Sequence, residues 1–145
     1  MKPESAAYVT EQLRQYDRDR YLATLLLGPK ELEARTALYA FNADIASVRE
    51  RAREPAAGEI RLQWWADALS GEGHGDVRSN PLADALLSVI ADYGLPVPPL
   101  TRMIAARRFD LYQDPMSDVP TFEGYAGETV SALYQLGVRM LNGGK

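Results

Sequence analysis

The sequence predicts an all-α fold of six or seven helices. Proline and glycine residues divide the chain into segments in which apolar residues recur at spacings of three and four. Between Leu38 and Ala52 this spacing gives one buried stripe and a polar opposite face. No segment shows the sustained apolar and polar alternation of a strand, so we expect no β-sheet.

Capping residues and prolines place the helix boundaries. Ser5 is a suitable N-cap for the first helix and Thr121 for the last. Pro29 and Pro55 each stand where a helix tolerates proline, in its first turn. The expected helices, in chain order, run from Ser5 to Tyr16, from the Asp17–Asp19 segment to Gly28, from Pro29 to Arg53, from Pro55 to Leu69, from Pro81 to Tyr93, from Leu100 to Asp114 and from Phe122 to Leu141.

Composition narrows the class of protein. The 145 residues fit one domain spanning 1–145, and 46% hydrophobic with 25% charged residues is ordinary for a folded soluble chain. The net charge is −4 and basic residues are scattered among acidic ones, so we expect no nucleic-acid partner. The absence of cysteine excludes disulfides and thiolate metal sites.

Targeting and membrane signals are weak. The longest apolar run near the N-terminus, Tyr21 to Gly28, is too short to cross a bilayer, so we expect no transmembrane segment. The N-terminal residues lack the apolar region of a signal peptide. The expectation is a cytoplasmic protein, at most peripheral to the inner membrane.

The single histidine lies among glycines. His74 is flanked by Gly73 and Gly75, and we expect it to be an exposed loop residue without further metal ligands nearby. The Gly71-x-Gly73-x-Gly75 pattern follows a predicted helix rather than a strand, so it fits neither phosphate-binding glycine motif.

Carboxylates on the third predicted helix are the first candidate for chemistry. Two carboxylates four residues apart share a helix face and could share Mg²⁺, which prefers hard oxygen ligands. Positions 46 and 50 have this spacing, but Ala46 stands at the first of them. Arg49 and Arg51 flank Glu50, so ion pairing on a solvated face is the alternative interpretation.

Two further segments allow both functional and structural interpretations. The segment Arg107 to Asp110 could form an anion site with a nearby carboxylate, or simply an amphipathic surface. Trp64 and Trp65 could line a lipid pocket, although at helical spacing from Ile60 at least one of them fits an ordinary core.

Several motifs, taken in order, resemble the N-terminal part of the squalene/phytoene synthase family. The matching segments are Tyr21-Leu22-Ala23 with Pro29, Arg35-x-Ala37-Leu38-Tyr39-Ala40-Phe41, Gly94-Leu95-Pro96, Arg108-Phe109-Asp110-Leu111, Thr121-Phe122-Glu123 and Tyr125-Ala126. The resemblance implies an isoprenoid-synthase helical bundle around a deep apolar cavity, with magnesium-bound diphosphates at its mouth. The chain covers about the first half of the family's usual length, so the second aspartate-rich motif lies beyond it.

The first aspartate-rich motif of that family is degenerate here. Where the family has two adjacent aspartates and a third three residues later, this chain has Ala46, Ser47 and Glu50. Ala43 replaces a frequent arginine, and Tyr134 stands where glycine is usual. The segments Ala40–Arg49, Arg61–Trp65 and Tyr125–Thr129 look like the branch that includes mitochondrial complex I assembly factors, which lack the full aspartate motif.

The resemblance supplies the candidate site residues. For catalysis they are Asp44, Glu50, Asp110 and Tyr125, with Glu50 also the candidate metal ligand. For substrate binding they are Tyr21, Arg35, Tyr39, Phe41, Trp65 and Arg108. No cofactor is expected unless the chain is an enzyme, in which case it is Mg²⁺.

Two hypotheses about function remain. The first is a non-catalytic family member that binds a lipid, an isoprenoid diphosphate or a protein partner, in the manner of an assembly factor. The alternative is an active magnesium-dependent prenyltransferase of isoprenoid biosynthesis, condensing isoprenoid diphosphates. A third possibility is that the chain is a fragment of a longer protein. Half of a helical bundle would expose the apolar face meant for its partner helices, so we expect a homodimer or larger homo-oligomer.

Overall fold

Helices account for the regular structure of the computed structural model, which describes residues 1–73, 75–112, 116 and 118–142. The described residues form nine α-helices and no strand, which confirms the all-α prediction. They are α1 (Pro3–Tyr16), α2 (Arg18–Thr24), α3 (Pro29–Ala46), α4 (Val48–Arg51), α5 (Pro55–Ser70), α6 (Pro81–Tyr93), α7 (Val97–Arg107), α8 (Val119–Ala126) and α9 (Ala132–Leu141). All seven helical segments predicted from the sequence are present, and two of them are interrupted.

The central element is α3, which has buried residues around most of its circumference between Thr36 and Ile45. It packs against α1, α6 and α9, while α5 packs against α4 and α7. The buried apolar side chains join in one hydrophobic cluster that includes residues from all of these helices. The prediction of a single buried stripe with a polar opposite face is therefore wrong for this part of α3. The helix lies at the centre of the bundle, where neighbouring helices cover most of its sides, and it buries the polar Asn42 and Asp44 as well as its apolar residues.

Side-chain caps mark the start of several helices. Asn80 accepts hydrogen bonds from the backbone N–H groups of Leu82 and Ala83, so it caps α6 as its position before Pro81 predicts. The N-caps predicted for the first and the last helix were wrong. Ser5 lies inside α1 and is buried, because α1 begins at Pro3. Asp118 rather than Thr121 caps α8, since its carboxylate accepts from the Thr121 backbone N–H.

Two predicted helices are interrupted. The third was expected to reach Arg53 but breaks at Ser47, whose backbone leaves the helical region and separates α3 from α4. The last one contains a π-helical turn, Gly127–Ser131, between α8 and α9. Such turns insert an extra residue and are frequent at functional sites. Both interruptions adjoin the same cleft, which is described next.

The sixth predicted helix also differs at both ends. It was expected from Leu100 to Asp114, but α7 begins at Val97 and ends at Arg107, followed by a 3-10 turn from Arg108 to Leu111. Consecutive prolines at positions 98 and 99 are accommodated in the first turn of α7, where proline removes no helical hydrogen bond. In the described ranges no helix has the length and apolar character needed to cross a membrane.

Candidate functional site

A small cleft lies beside the C-terminal half of α3. It has a volume of about 200 Å³ and is bordered by the α1–α2 junction, the end of α3, α7 and the π-helical turn. Its α3 side carries the positions of the degenerate motif, Ala46, Ser47 and Glu50. Glu50 is exposed, and no hydrogen bond or ion pair joins its carboxylate to another described residue. The cleft therefore receives one carboxylate from this motif.

Asp44 lies on a different side of α3 and is bound by three donors. Its Oδ1 accepts from Arg51 Nη1 at 2.9 Å and from Arg61 Nη2 at 2.7 Å, and its Oδ2 accepts from Trp65 Nε1 at 2.8 Å. The Asp44 side chain is 6% exposed. A buried carboxylate with these partners holds α3, α4 and α5 together, and its oxygens are already in use.

Arg51 connects this carboxylate to the aromatic edge of the cleft. Its guanidinium lies 4.4 Å from the centre of the Tyr16 ring while also pairing with Asp44. Burial disfavours the charge of Arg51, but the contacts with Tyr16 and Asp44 outweigh it and raise its pKa above the usual value. Arg51 is therefore a permanent cation in this network.

Asp110 and Tyr125, two candidate catalytic residues far apart in sequence, come together in the structure. The Tyr125 hydroxyl donates to Asp110 Oδ1 at 2.6 Å and accepts from Arg107 Nη1 at 2.9 Å. The same Arg107 atom lies 3.2 Å from Asp110 Oδ2. Burial and the hydrogen bond to Asp110 raise the pKa of Tyr125, so its hydroxyl keeps its proton at neutral pH.

This closed triad ties the 3-10 turn after α7 to α8. Each side chain uses its neighbours as partners, so the triad stabilises the junction and offers no unoccupied carboxylate pair. The sequence singled out all three residues but did not predict their mutual bonding, because the turn that brings them together depends on tertiary contacts.

The residues predicted to bind substrate occupy several places. Arg35 donates from Nη2 to the Gly137 carbonyl oxygen at 2.6 Å and from Nη1 to the Tyr39 hydroxyl at 3.1 Å, which joins α3 to α9. Tyr39 is itself buried, and its ring also contacts the Arg20 guanidinium at 5.9 Å. Arg35 and Tyr39 thus hold α3 against α9, and Tyr39 contacts Arg20, which lines the cleft.

The other four predicted binding residues are spread over the molecule. Phe41 is fully buried and its ring centre lies 5.0 Å from that of Trp65, which places both in the core. Tyr21 is half-buried against the same core. Arg108 is exposed and donates from Nη2 to Gln63 Oε1 at 2.8 Å, so it points to a different surface from the cleft.

Sequence reasoning missed Arg20 and Asn42 as cleft residues. Arg20 pairs with Asp17 at 2.6 Å and stacks 5.6 Å from the Tyr134 ring centre. Buried polar atoms of Arg20, Asn42 and Arg107 lack a hydrogen-bond partner within the part of the chain that is described, and all three residues line the cleft. The only sequence feature that could have identified Arg20 as a cleft residue is the spacing of arginines and tyrosines around Asp17. That spacing is also typical of a solvated helix face.

The donor set does not fit a magnesium centre. Magnesium bound by protein takes carboxylates and phosphate oxygens in octahedral array. Glu50 is the only carboxylate that the degenerate motif presents to the cleft, and Asp17, across it, is paired with Arg20. Across residues 1–73, 75–112, 116 and 118–142 no group of three acidic or histidine side chains could hold a metal ion. His74 lies outside the described residues.

A family model for squalene/phytoene synthase matches residues 13–144. The chain belongs to the squalene/phytoene synthase family. It also resembles a solved dehydrosqualene synthase over 94% of its own length and 47% of that chain, with a TM-score of 0.80 and 18% identity. This likeness confirms the isoprenoid-synthase helical fold.

Curated relatives of this squalene/phytoene synthase-family chain carry the name NADH dehydrogenase (ubiquinone) complex I, assembly factor 6. The rat protein is 30% identical over 139 residues, which cover 96% of this chain and 42% of the relative. The human protein is 28% identical, with 92% and 40% covered. The Drosophila homologue is 31% identical, with 94% and 44% covered. The chain thus spans less than half the length of these relatives, and the predicted branch of the family is confirmed.

Proposed function

We propose that this family member is non-catalytic and acts by binding, as a protein of the complex-assembly type. The proposal rests on where the carboxylates near α3 lie and on which partners they have. Glu50 alone remains of the motif facing the cleft, whereas Asp44 is bound to Arg51, Arg61 and Trp65. Ionisation of a prenyl diphosphate needs metal ions to neutralise the leaving group, and one carboxylate is a poor ligand set for them.

The naming of the relatives supports the assembly role. Several relatives with similar coverage are named as assembly factors of complex I, so we propose that this chain also recognises a protein partner. The lack of cysteine suits a reducing compartment, and we propose a cytoplasmic location with peripheral contact to the inner membrane. Residues 1–145 are proposed to form a single domain, since their core is one cluster.

The proposal of no catalysis is tested with the full-length gene product. It is incubated with Mg²⁺ and a C15 or C20 prenyl diphosphate, and diphosphate release is measured beside a Glu50→Ala variant. We expect both proteins to give the background rate, because the motif lacks two of its three carboxylates. Turnover that depends on Mg²⁺ and is lost in Glu50→Ala contradicts the proposal and supports the prenyltransferase alternative.

The surface proposed for association is an apolar stripe along α8, the π-helical turn and α9. Exposed large apolar side chains occur every one or two helical turns along this stripe. They are Val119, Phe122, Val130, Tyr134, Val138 and Leu141. Exposed apolar stripes of this kind usually mark interaction surfaces. We propose that the stripe mediates self-association of this chain, giving a homodimer or larger homo-oligomer.

Light scattering tests the self-association. We expect the chain to exceed monomer mass at high concentration and Phe122→Glu to lower that mass, because a charge on the stripe opposes burial. Leu26→Glu is the matched control, since Leu26 is 90% exposed and lies outside the stripe. A monomer at high concentration, or equal effects of the two variants, contradicts this surface as the site of association.

A further inference from the structure

A second and larger depression lies between α4 and α5. We call it the tryptophan groove; it has a volume of about 520 Å³, and Val48, Arg51, Ile60, Arg61, Trp64 and Trp65 are among its lining residues. This volume lies within the range of pockets that hold small organic ligands, about 300–1,000 Å³. The groove adjoins the side of α3 and α4 that carries Asp44 and Arg51, and it is separate from the cleft beside Glu50.

The aromatic wall of the groove is anchored in the core. The ring centres of Phe41 and Trp65 are 5.0 Å apart, as are those of Trp65 and Trp64, and both pairs meet edge to face. The Trp65 indole is also held by its hydrogen bond to Asp44 at 2.8 Å. A wall fixed in this way needs little ordering when a ligand binds, which favours affinity.

The charge of the groove is positive. Arg51 and Arg61 are the charged residues of its lining, and both donate to the same Asp44 oxygen. Two guanidinium groups sharing one carboxylate leave one positive charge in excess. The side chain of Arg61 is 46% exposed, and a guanidinium has five N–H donors of which Asp44 takes one here. Arg61 can therefore receive a further carboxylate.

The apolar part of the groove is open to a ligand. Ile60 is 73% exposed and stands one helical turn before Trp64 on α5, so the two side chains form a continuous apolar strip beside Arg61. An exposed isoleucine next to a tryptophan gains from being covered, at about 25 cal/mol per Å² of apolar area.

We propose that the tryptophan groove binds an amphiphilic monocarboxylate, that is, a free carboxylate on an aliphatic chain. The carboxylate pairs with Arg61 and neutralises the excess charge, while the chain lies on Ile60 and Trp64. One excess positive charge matches a single anionic group. The site lies apart from the cleft, so its occupancy does not depend on whether the chain has prenyltransferase activity.

Intrinsic fluorescence reports directly on this groove, since Trp64 and Trp65 are the two tryptophans of the chain. The probe is decanoate, titrated below its micelle concentration, with decanol as the uncharged counterpart. We expect a saturable change in tryptophan emission with decanoate and at least fivefold weaker binding of decanol, which corresponds to about 1 kcal/mol for the lost charge pairing.

Variants locate the binding. Arg61→Met is expected to weaken decanoate binding about fivefold, because the pairing cation is lost. Arg102→Met is the matched control, since Arg102 forms an exposed pair with Glu128 and does not line the groove. Ile60→Asp supplies a second test that leaves the Asp44 network intact, and it is expected to weaken binding more than Ile60→Asn does.

Several results overturn the proposal. They are the absence of a saturable emission change, equal binding of decanol and decanoate, and equal effects of Arg61→Met and Arg102→Met. Binding to vesicles that contain phosphatidylglycerol is measured as well, to distinguish a free ligand from a membrane surface. Binding that depends on Arg61 and occurs with vesicles but not with free decanoate assigns the groove to a membrane surface and overturns the proposal of a free carboxylate ligand.

Discussion

Replacing Asp44 by asparagine distinguishes a structural carboxylate from a metal ligand. The substitution keeps the shape of the side chain but removes the charge that receives Arg51, Arg61 and the Trp65 indole. Breaking a buried ion pair by removing one partner costs about 3–5 kcal/mol. Arg51 and Arg61 are 31% and 46% exposed and regain water, so we expect a loss of about 2–3 kcal/mol.

Urea unfolding at pH 7 measures this loss. In a domain of this size, a loss of about 2–3 kcal/mol also lowers the melting temperature by about 4–10 °C. We expect a single unfolding transition for both proteins. Glu50→Gln is the control, because Glu50 is exposed and no described residue pairs with its carboxylate, so its unfolding midpoint should match the wild type.

Magnesium provides the refuting result. If Asp44 is structural, the stability difference between wild type and Asp44→Asn is the same with and without Mg²⁺. A wild-type protein that Mg²⁺ stabilises, with that gain lost in Asp44→Asn, contradicts our assignment, since a ligand stabilises the state that binds it. An unfolding midpoint unchanged by Asp44→Asn also refutes the reasoning.

The remaining predictions concern one buried carboxylate and two helix glycines. Burial of Asp84 disfavours its charge, but hydrogen bonds from Lys2, Ser5 and Arg78 outweigh this and lower its pKa from 3.8 to about 2. The ionised Asp84 carboxylate contributes about 2 kcal/mol to the free energy of unfolding above pH 4, and this contribution is lost as the pH falls towards 2. The urea midpoints of wild type and Asp84→Asn should therefore converge between about pH 4 and pH 2. Gly58→Ala and Gly124→Ala should change thermal stability in opposite directions. A Cβ on Gly58 meets Leu111 Cδ2 at 2.3 Å and Val48 Cγ1 at 3.0 Å, and both side chains are buried with little room to move. Overpacking of about 1–3 kcal/mol should therefore outweigh a helix gain of about 1 kcal/mol. Gly124 has open space, so alanine there should raise the melting temperature, and a fall would refute the packing argument.

The helices could be predicted from sequence because their signals are local. Helices α3, α5 and α6 each begin at a proline, Pro29, Pro55 and Pro81, which can be recognised without any tertiary contact. Asn80 caps α6 by accepting from backbone N–H groups two and three residues further along the chain. The break at Ser47 and the π-helical turn after Ala126 have no such signal. They depend on packing between helices distant in sequence, which periodicity does not report.

The site was predictable as a set of residue types but not as an arrangement. The 3.6-residue period separates Asp44 from the Ala46 and Glu50 face, and this separation holds in the structure. The partner Arg61 lies 17 residues away on another helix, so no local pattern could assign it to Asp44. The bonding of Asp110 to Tyr125 likewise depends on tertiary contact across 15 residues.

The two sides of the α3–α4 segment use their carboxylates differently, and the fold depends on only one of them. On the cleft side, alanine and serine stand where a diphosphate site needs carboxylates, and two arginines face the space left. On the other side, Asp44 accepts hydrogen bonds from two arginines and an indole on α4 and α5, so both of its oxygens hold these helices to α3. Neighbouring carboxylates repel one another unless a bound cation offsets their charge, and a cleft with Glu50 alone from this motif avoids that repulsion. Loss of Asp44 would leave two guanidinium groups and an indole N–H without their acceptor. The carboxylate with the most partners in this segment thus serves packing, and the motif leaves a single carboxylate beside the cleft, which is the arrangement that the proposed binding function needs and that diphosphate ionisation does not.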